Sequence, residues 1–204
     1  MAVRSLLLEL AAVPAPSGDE APLRRLIMEK IRQQEGHETL EVDGLGNLRV
    51  DTGLLGRGLP GSWLFLLPMD DPTFAVSGRL PRGWLQVVSL ARPPLSPSFI
   101  RHVAGSEVWV MTAGGAVPGL FALPSIHLQG GRPSFPPAAS TVHLVVDVGA
   151  EPGEEGVQQP AAPRLLDRVV PRVEPVVRAD GSVVGLGVGR RSAAAAAILA
   201  AGGG

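Results

Sequence analysis

Two adjacent carboxylates, Asp70 and Asp71, occupy the position in this sequence where a chemical site is most expected. They follow the continuously apolar run Trp63–Leu67, which predicts a strand buried on both faces. Loops at the ends of such strands are where sites in α/β sheets are usually built, and carboxylates there can serve as metal ligands or acid–base groups. An equally good interpretation is that Asp70 only turns the chain after Pro68.

The four histidines do not have metal-binding spacing. His37, His102, His127 and His143 lie far apart and form neither HxxxH nor HxxH, so each is interpreted as an ordinary surface or core residue. The sequence also contains no cysteine, no GxSxG and no SxxK. Hydrolysis through a serine or cysteine nucleophile therefore has no support.

A glycine-rich stretch near the end of the sequence is the third candidate. Gly185–Gly189 follows an apolar run and precedes a predicted helix, so it resembles a dinucleotide-binding fingerprint, whose glycines let phosphate approach a helix N-terminus. That fingerprint also requires an acidic residue about 20 positions further on. The sequence ends at Gly204, before such a residue. A dinucleotide-binding module is therefore a minor alternative.

The elements before the apolar run are predicted from periodicity, prolines and turn residues. An apolar helical face stops ahead of Pro14, where a proline disfavours helical geometry in the preceding residue. Ser17 and Glu20 have the spacing of a capping box for a second helix. The predicted order is a helix at Leu6–Ala11, a second helix up to Glu35, and a strand pair at Thr39–Asp43 and Asn47–Asp51.

A β-rich segment is predicted for residues 74–177, where glycine and proline separate short apolar runs. Ser182–Val188 then predicts a strand, and Ala193–Ala201 predicts an alanine-rich helix. We therefore expect an α/β domain made of residues 1–73 and 178–204, with a β-rich domain inserted at 74–177. The strands predicted within the insertion are Trp84–Leu90, Glu107–Met111 and Thr141–Val148.

Composition excludes several classes of partner. The formal net charge is −1 and the 18 basic residues are scattered, which does not favour binding to nucleic acid or to a membrane surface. The first 13 residues resemble neither a signal peptide nor a membrane-spanning helix. The absence of cysteine fits a reducing compartment. A cytoplasmic location is the resulting expectation.

Six short motifs, spread over almost the whole chain, occur in the order found in one enzyme family. Leu66–Asp71 (LLPMDD) is similar to A-H-M-D-E, and Gly185–Arg191 (GLGVGRR) to G-K-A-x-D-N-R. The others are Leu6–Gly18, similar to an opening helix with a P-x-P-S-G turn; Val42–Leu48, to D-x-L-G-N-L; Val117–Gly119 with Pro124–Leu128, to V-x-G…K-P-P-H-L; and Val145–Ala150, to I-D-I-G-A. The chain thus resembles the N-terminal part of the tetrahedral metallo-aminopeptidases, which include glutamyl and deblocking aminopeptidases and cellulase-M proteins.

This resemblance implies a fold and an activity. The fold would be an α/β peptidase domain with parallel and mixed strands, interrupted after the first metal loop by a β-rich dimerisation domain. The activity would be removal of N-terminal residues from short peptides by two divalent metal ions such as zinc or cobalt. Dimers would assemble into a hollow particle.

The ligand positions depart from the family pattern. By the resemblance, the metal-binding histidine corresponds to Pro68 and the aspartate that bridges both metals corresponds to Gly189. Neither residue has a side-chain donor, so neither can replace a ligand. Asp70 and Arg191 correspond to supporting residues of the site. The remaining ligands and the general-base glutamate belong to a later segment of the family, which this sequence does not contain.

Three functional hypotheses remain from the sequence. The first is a catalytically inactive relative without a metal cofactor, acting as a scaffold or as an assembly partner in a homo-oligomer or together with an active paralogue. The second is part of an active metal-dependent aminopeptidase that another chain completes. The third is a product without a selected role, whose exposed sheet edge would favour aggregation.

Overall fold

The chain divides into two units. The first consists of Met1–Asp71 together with Glu174–Gly204, and the second consists of Pro72–Val173. The structure is a computed structural model that describes residues 3–33, 39–51, 64–80, 83–91, 95–123, 144–149 and 162–201. Among its described helices, none has the length and apolar character needed to cross a membrane. The elements in chain order are α1 (Val3–Ala11), α2 (Ala21–Arg32), β1 (Thr39–Val42), β2 (Leu48–Asp51), β3 (Phe74–Arg79), β4 (Leu85–Ser89), α3 (Pro97–Val103), β5 (Glu107–Thr112), β6 (Gly115–Ala122), β7 (Val145–Asp147), β8 (Arg168–Pro171), β9 (Val176–Val177), β10 (Val183–Val184) and α4 (Val188–Ala201).

The first unit has a helical core formed by α1, α2 and α4. Each helix places apolar residues three or four positions apart, so that they lie on one face and are removed from water together. The buried residues of this core are Leu6, Leu10, Ala15, Leu23, Ile27, Ile31, Ala194, Ala195 and Ile198. The prediction of a helix at Leu6–Ala11 is confirmed, with α1 beginning at Val3.

The sheets of the first unit are two antiparallel hairpins. Strand β1 pairs with β2, and β9 pairs with β10 over two residues in each strand. The predicted strand pair at residues 39–51 is therefore confirmed. Parallel pairing in the described residues is limited to an isolated bridge between Pro16 and Asp71. The parallel or mixed sheet expected for this unit is not formed by the residues described.

The second unit is a closed six-stranded barrel in the order β3-β4-β7-β6-β5-β8, with antiparallel pairs throughout. Its interior is apolar, and Phe74 and Phe121 meet edge to face with ring centroids 4.8 Å apart. Closure removes the free sheet edges, which would otherwise favour aggregation. The β-rich character expected for this part of the chain is confirmed, and so is a mixed helix and sheet architecture. Residues 124–143 and 150–161, which include the first part of the predicted strand Thr141–Val148, lie outside the described residues.

The apolar run before the carboxylates is not a buried strand, so this prediction is wrong for residues 64–67. These residues belong to no described helix or sheet, and the exposed fractions of Leu64, Phe65 and Leu66 are 82%, 78% and 83%. Trp63, the first residue of the predicted strand, lies outside the described residues. Burial on both faces requires neighbouring strands and covering layers, and the described part of the unit does not provide them.

Several element boundaries also differ from the predictions. The capping box is wrong: Glu20 is the N-cap of α2 and Pro22 lies in its first turn, while the Glu20 side chain accepts a hydrogen bond from the Gly18 amide. Helix α2 ends at Arg32, and Glu35 lies outside the described residues. The predicted strand at Ser182–Val188 shortens to β10, because the chain turns at Leu186 and Gly187 before α4 begins at Val188.

Helix α3 was not predicted within the β-rich segment. The Ser96 hydroxyl accepts a hydrogen bond from the Phe99 amide, and Pro97 occupies the first turn. Serine at the N-cap followed by proline is a helix-start signal, but seven residues are too short to show helical periodicity.

Candidate functional site

The candidate site lies where the start of α4 meets the segment Met69–Asp71, entirely within the first unit. Arg190 and Arg191 are consecutive residues in the first turns of α4. Consecutive helical residues point about 100° apart around the axis. The two guanidinium groups therefore reach different carboxylates, one half-exposed and one buried.

Asp70 is held by an arginine and a serine. Arg190 Nη1 donates to Asp70 Oδ1 and to the Asp70 carbonyl oxygen, each at 2.6 Å. The Ser17 hydroxyl donates to Asp70 Oδ2 at 2.7 Å. Both carboxylate oxygens thus accept hydrogen bonds from within the chain. The side chains of Arg190 and Asp70 are 42% and 38% exposed, so water screens this pair.

Asp71 and Arg191 form a buried ion pair, with side chains only 10% and 2% exposed. Arg191 Nη2 donates to Asp71 Oδ2 at 2.8 Å, and the Ala15 amide donates to the same oxygen at 3.0 Å. The Asp71 amide returns a hydrogen bond to the Ala15 carbonyl at 2.7 Å. These contacts tie the turn after α1 to the end of the apolar run.

Burial dominates the electrostatics of this pair. Removal from water raises the pKa of Asp71 above its ordinary value, against the opposing charge of Arg191. It also lowers the pKa of Arg191, against the charge of Asp71. Arg191 Nη1 also donates to the Met69 carbonyl, whereas Arg191 Nε has no hydrogen-bond partner within the described part of the chain. Arg191 is thus a structural cation, inaccessible to a substrate.

Gly187, just before α4, and Gly189, inside α4, differ in the space available for a side chain. Gly187 has a φ of +70°, and a Cβ placed there would lie 2.5 Å from Asp71 Oδ1. A Cβ on Gly189 would meet nothing within 4 Å. Gly187 is therefore required for the close approach of the helix start to Asp71. Gly189, which corresponds by resemblance to the bridging aspartate, has open space around its Cα.

The donor set does not fit a two-metal centre. Asp70 and Asp71 are each bonded to a guanidinium group, and Pro68 and Gly189 carry no side-chain donor. Throughout the described ranges, no three residues among histidine, cysteine, aspartate and glutamate are grouped closely enough to hold a metal ion. His102 lies on α3 in the other unit, and His37, His127 and His143 lie outside the described residues.

The dinucleotide-binding context is also not formed. Gly185–Gly189 follows β10, which is a two-residue strand of an antiparallel hairpin. A dinucleotide fingerprint requires a parallel βαβ unit, so that phosphate meets the helix N-terminus at the end of a parallel strand. Gly187 instead allows the start of α4 to approach Asp71 closely.

Sequence reasoning found Asp70, Asp71 and Arg191 but missed three partners. The sequence predicts Ser17 as a helix cap and assigns no role to Arg190 or Gly187. A signal for Arg190 was present, since a second arginine stands where the family pattern has asparagine. The contact of Ser17 with Asp70 joins residues 53 positions apart, and local sequence carries no signal for it.

Comparison with known proteins places the fold. No protein-family model and no curated protein matches the chain. Among solved structures, it is similar to the TET1 peptidase of Pyrococcus horikoshii, with a TM-score of 0.73 and 24% identity over 98% of this chain and 55% of that one. It is similar to an aminopeptidase of Desulfurococcus kamchatkensis, with a TM-score of 0.72 and 22% identity over 98% of this chain and 51% of that one. It is also similar to an endoglucanase of Thermotoga maritima, with a TM-score of 0.69 and 24% identity over 96% of this chain and 53% of that one.

These similarities extend over almost all of this chain but only about half of each solved structure. At identities of 24% or less they concern the fold. The chain therefore has the fold of TET aminopeptidases and cellulase-M-like peptidases over about half of their length, and the resemblance predicted from its motifs is confirmed at that level.

Proposed function

We propose that this chain is a catalytically inactive relative of the metallo-aminopeptidases that acts as a scaffold or assembly partner. The observation that carries the proposal is that the positions corresponding to the family's ligands have no side-chain donor and that both nearby carboxylates are paired with arginine, Asp70 with Arg190 and Asp71 with Arg191. A carboxylate that coordinates a metal must offer a lone pair to it, and a neighbouring guanidinium repels a divalent cation at the same place. Pro68 and Gly189 add no donor.

Loss of the bridging position matters more than loss of a supporting residue. A bridging carboxylate offsets the repulsion between two cations, so a two-metal mechanism does not tolerate its replacement by glycine. We therefore assign no catalytic residue and no metal ligand to this chain. Pro68, Asp70, Gly189 and Arg191 are proposed as the vestiges of a family site.

The inactivity proposal is tested by assaying hydrolysis of aminoacyl-p-nitroanilides with added cobalt, zinc or manganese. Bound metal is measured in parallel by mass spectrometry, and the variant D70N serves as the matched control. We expect no rate above a metal blank and the same result for both proteins. A metal-dependent rate that D70N abolishes would show that Asp70 still supports catalysis, and the proposal would be wrong.

The assembly role is supported by the neighbours of the fold. The TET1 peptidase of Pyrococcus horikoshii can assemble into a tetrahedron or a large octahedral shell. We propose that this chain joins a homo-oligomer, or a mixed oligomer with an active paralogue in the cytoplasm, through the barrel unit as a dimerisation domain. Size-exclusion chromatography with light scattering, alone and after co-expression with an active family member, measures this. A monomer that joins neither partner contradicts it.

The second candidate is part of an active metallo-aminopeptidase that another chain completes. It is favoured by one observation, the match of this chain to only 47–55% of the solved structures. Such an enzyme would need a metal site built from residues other than Pro68 and Gly189. Metal-dependent hydrolysis by a purified complex, absent from this chain alone, would favour this candidate over the first.

A further inference from the structure

The turn that precedes β8 exposes two adjacent leucines. In the turn Arg164–Asp167, the Asp167 amide donates a hydrogen bond to the Arg164 carbonyl at 3.2 Å. The two central residues, Leu165 and Leu166, are 65% and 71% exposed. A leucine side chain gains free energy when it leaves water, so this pair favours contact with an apolar surface. The whole turn belongs to the second unit.

Leu166 has a backbone conformation that leucine rarely adopts. Its φ is +71°, and it is the only residue other than glycine with a positive φ among the described residues. Glycine or asparagine is favoured at such a turn position, because the Cβ of a larger residue lies too close to a carbonyl oxygen. Strained residues that their surroundings hold in place occur preferentially at binding and catalytic sites. The conformation therefore indicates a role for the leucine side chain itself.

Hydrogen bonds to the barrel hold the turn in this conformation. The Leu166 amide donates to the Val76 carbonyl at 2.8 Å, and the Val76 amide donates to the Asp167 carbonyl at 3.0 Å. Arg168 Nη1 donates to the Leu166 carbonyl at 2.7 Å. Asp167 Oδ2 accepts a hydrogen bond from the Arg164 amide at 2.7 Å. The leucines thus lie on a backbone that is already ordered, which lowers the entropy cost of binding a partner.

Three arginines surround the two leucines. Arg164 and Arg168 flank them in sequence, and Arg79 donates to the Pro163 carbonyl from 84 positions away along the chain. The turn itself contains one carboxylate, that of Asp167. A guanidinium group can bind a carboxylate through two parallel hydrogen bonds. The charge of this surface therefore complements a partner that has carboxylates beside its apolar side chains.

We propose that the turn Arg164–Asp167 is a docking site for an acidic peptide segment of a partner protein. Leu165 and Leu166 contact apolar side chains of the segment, and the surrounding arginines pair with its carboxylates. This inference goes beyond the proposed assembly role, because it names a separate surface and holds whether or not the chain forms an oligomer.

A membrane surface is a poorer partner for this turn. Stable binding to a membrane needs a long apolar helix face or a lipid chain together with positive charge, and two leucine side chains offer little apolar area. The formal net charge of −1 also gives the chain no overall attraction to anionic lipid.

The site is tested with the full chain and a short synthetic peptide that has leucines on one helical face and glutamates beside them. We expect saturable binding by fluorescence anisotropy, with shifts in amide NMR spectra mainly at Leu165–Arg168. Peptides with lysine for each glutamate, or serine for each leucine, should bind at least about tenfold more weakly. No binding of the acidic peptide, or equal binding of the lysine peptide, would overturn the inference.

The variant Leu166→Gly separates binding from folding. It removes the side chain and relieves the strain of the positive φ, so the melting temperature should stay equal or rise while affinity for the acidic peptide falls at least about tenfold. The control Leu120→Ala changes a leucine that is 49% exposed on β6, three strands from β3 in the barrel order. It should leave the affinity within about twofold. Equal affinities of Leu166→Gly and the original chain would overturn the inference.

Charge reversal and two further measurements complete the test. Arg164→Glu should weaken binding of the acidic peptide and strengthen binding of the lysine peptide, whereas Arg101→Glu on α3 should change each by less than about twofold. Equal effects of the two reversals would contradict the site. Binding to phosphatidylserine vesicles, or self-association in light scattering, that Leu166→Gly abolishes would assign the turn to a membrane or to a second copy, and would overturn the inference.

Discussion

Two neighbouring arginines at the start of α4 make similar bonds but differ in exposure. Arg191 is 2% exposed and pairs with a 10% exposed aspartate, whereas Arg190 and its partner are 42% and 38% exposed. Removing one member of a buried pair leaves the other charge desolvated and unpaired, whereas water replaces a lost partner at the surface. The stability contributions of the two arginines should therefore differ by several-fold.

We predict that Arg191→Met lowers the free energy of unfolding by about 3–5 kcal/mol, because Asp71 keeps its burial and loses its cation. The matched variant Arg190→Met should lower it by less than about 1 kcal/mol. Urea denaturation at neutral pH measures both. Equal losses would contradict the distinction between a buried and a solvated pair.

The two glycines around the start of α4 make a second matched pair. Gly187→Ala should destabilise the fold by more than about 1 kcal/mol, since φ is +70° and the new Cβ would lie 2.5 Å from Asp71 Oδ1. Gly189→Ala should be neutral or stabilise by up to about 1 kcal/mol, because alanine favours a helix and the space is open. Thermal denaturation of the two variants decides this, and a loss at Gly189 as large as that at Gly187 would refute it.

Among the elements, the β1–β2 hairpin has a turn held by one carboxylate. Asp43 Oδ1 accepts hydrogen bonds from the backbone amides of Leu45 and Asn47, each at 2.9 Å. Asp43 Oδ2 accepts a hydrogen bond from Asn47 Nδ2 at 2.8 Å. The Arg24 side chain also donates to the Gly46 carbonyl at 2.8 Å, which joins the turn to α2. The side-chain amide of Asn47 is the main cause that lowers the pKa of Asp43 below 3.8.

A lowered pKa gives the sign of the pH dependence. Hydrogen bonds to the carboxylate stabilise the hairpin fully above the ordinary pKa of aspartate, and this contribution is lost as pH falls through the lowered value. We predict that protection factors of β1 and β2 amides, corrected for intrinsic exchange rates, decrease below about pH 4. In Asp43→Asn this pH dependence should disappear. Unchanged protection in the original chain down to pH 2 would contradict the prediction.

At the scale of the whole molecule, the described residues form two separate apolar cores, one in each unit. Leu10 is fully buried in the helical core, and Phe121 is 1% exposed inside the barrel. Leu10→Ala and Phe121→Ala should each lower stability by about 2–5 kcal/mol through loss of burial and creation of a cavity. We predict that hydrogen exchange increases mainly within the unit that carries the substitution. An equal increase in both units would show that they unfold as one.

The predicted assignment of residues 1–73 and 178–204 to a peptidase-type domain and 74–177 to a dimerisation domain stays a prediction.

Local sequence predicted the elements whose signals are themselves local. Helix α1 follows from its apolar face and the prolines after it, and the β1–β2 hairpin from two short extended runs around Gly44 and Gly46. Prediction failed where an element depends on distant contacts. Ser17 has the type and spacing of a helix cap but bonds to Asp70 instead, and Glu20 takes the N-cap position.

Sequence alone gives the residues that correspond, by resemblance, to the family's ligand positions. Pro68 and Gly189 lack donors in any fold, because donor chemistry belongs to the side chain. The tertiary structure determines what Asp70 and Asp71 bind, since their arginine partners lie 120 positions away along the chain. It also decided the environment of Leu64–Leu67, which depends on which neighbouring strands are present to cover an apolar run. Burial and pairing are properties of surroundings that the chain brings together only on folding.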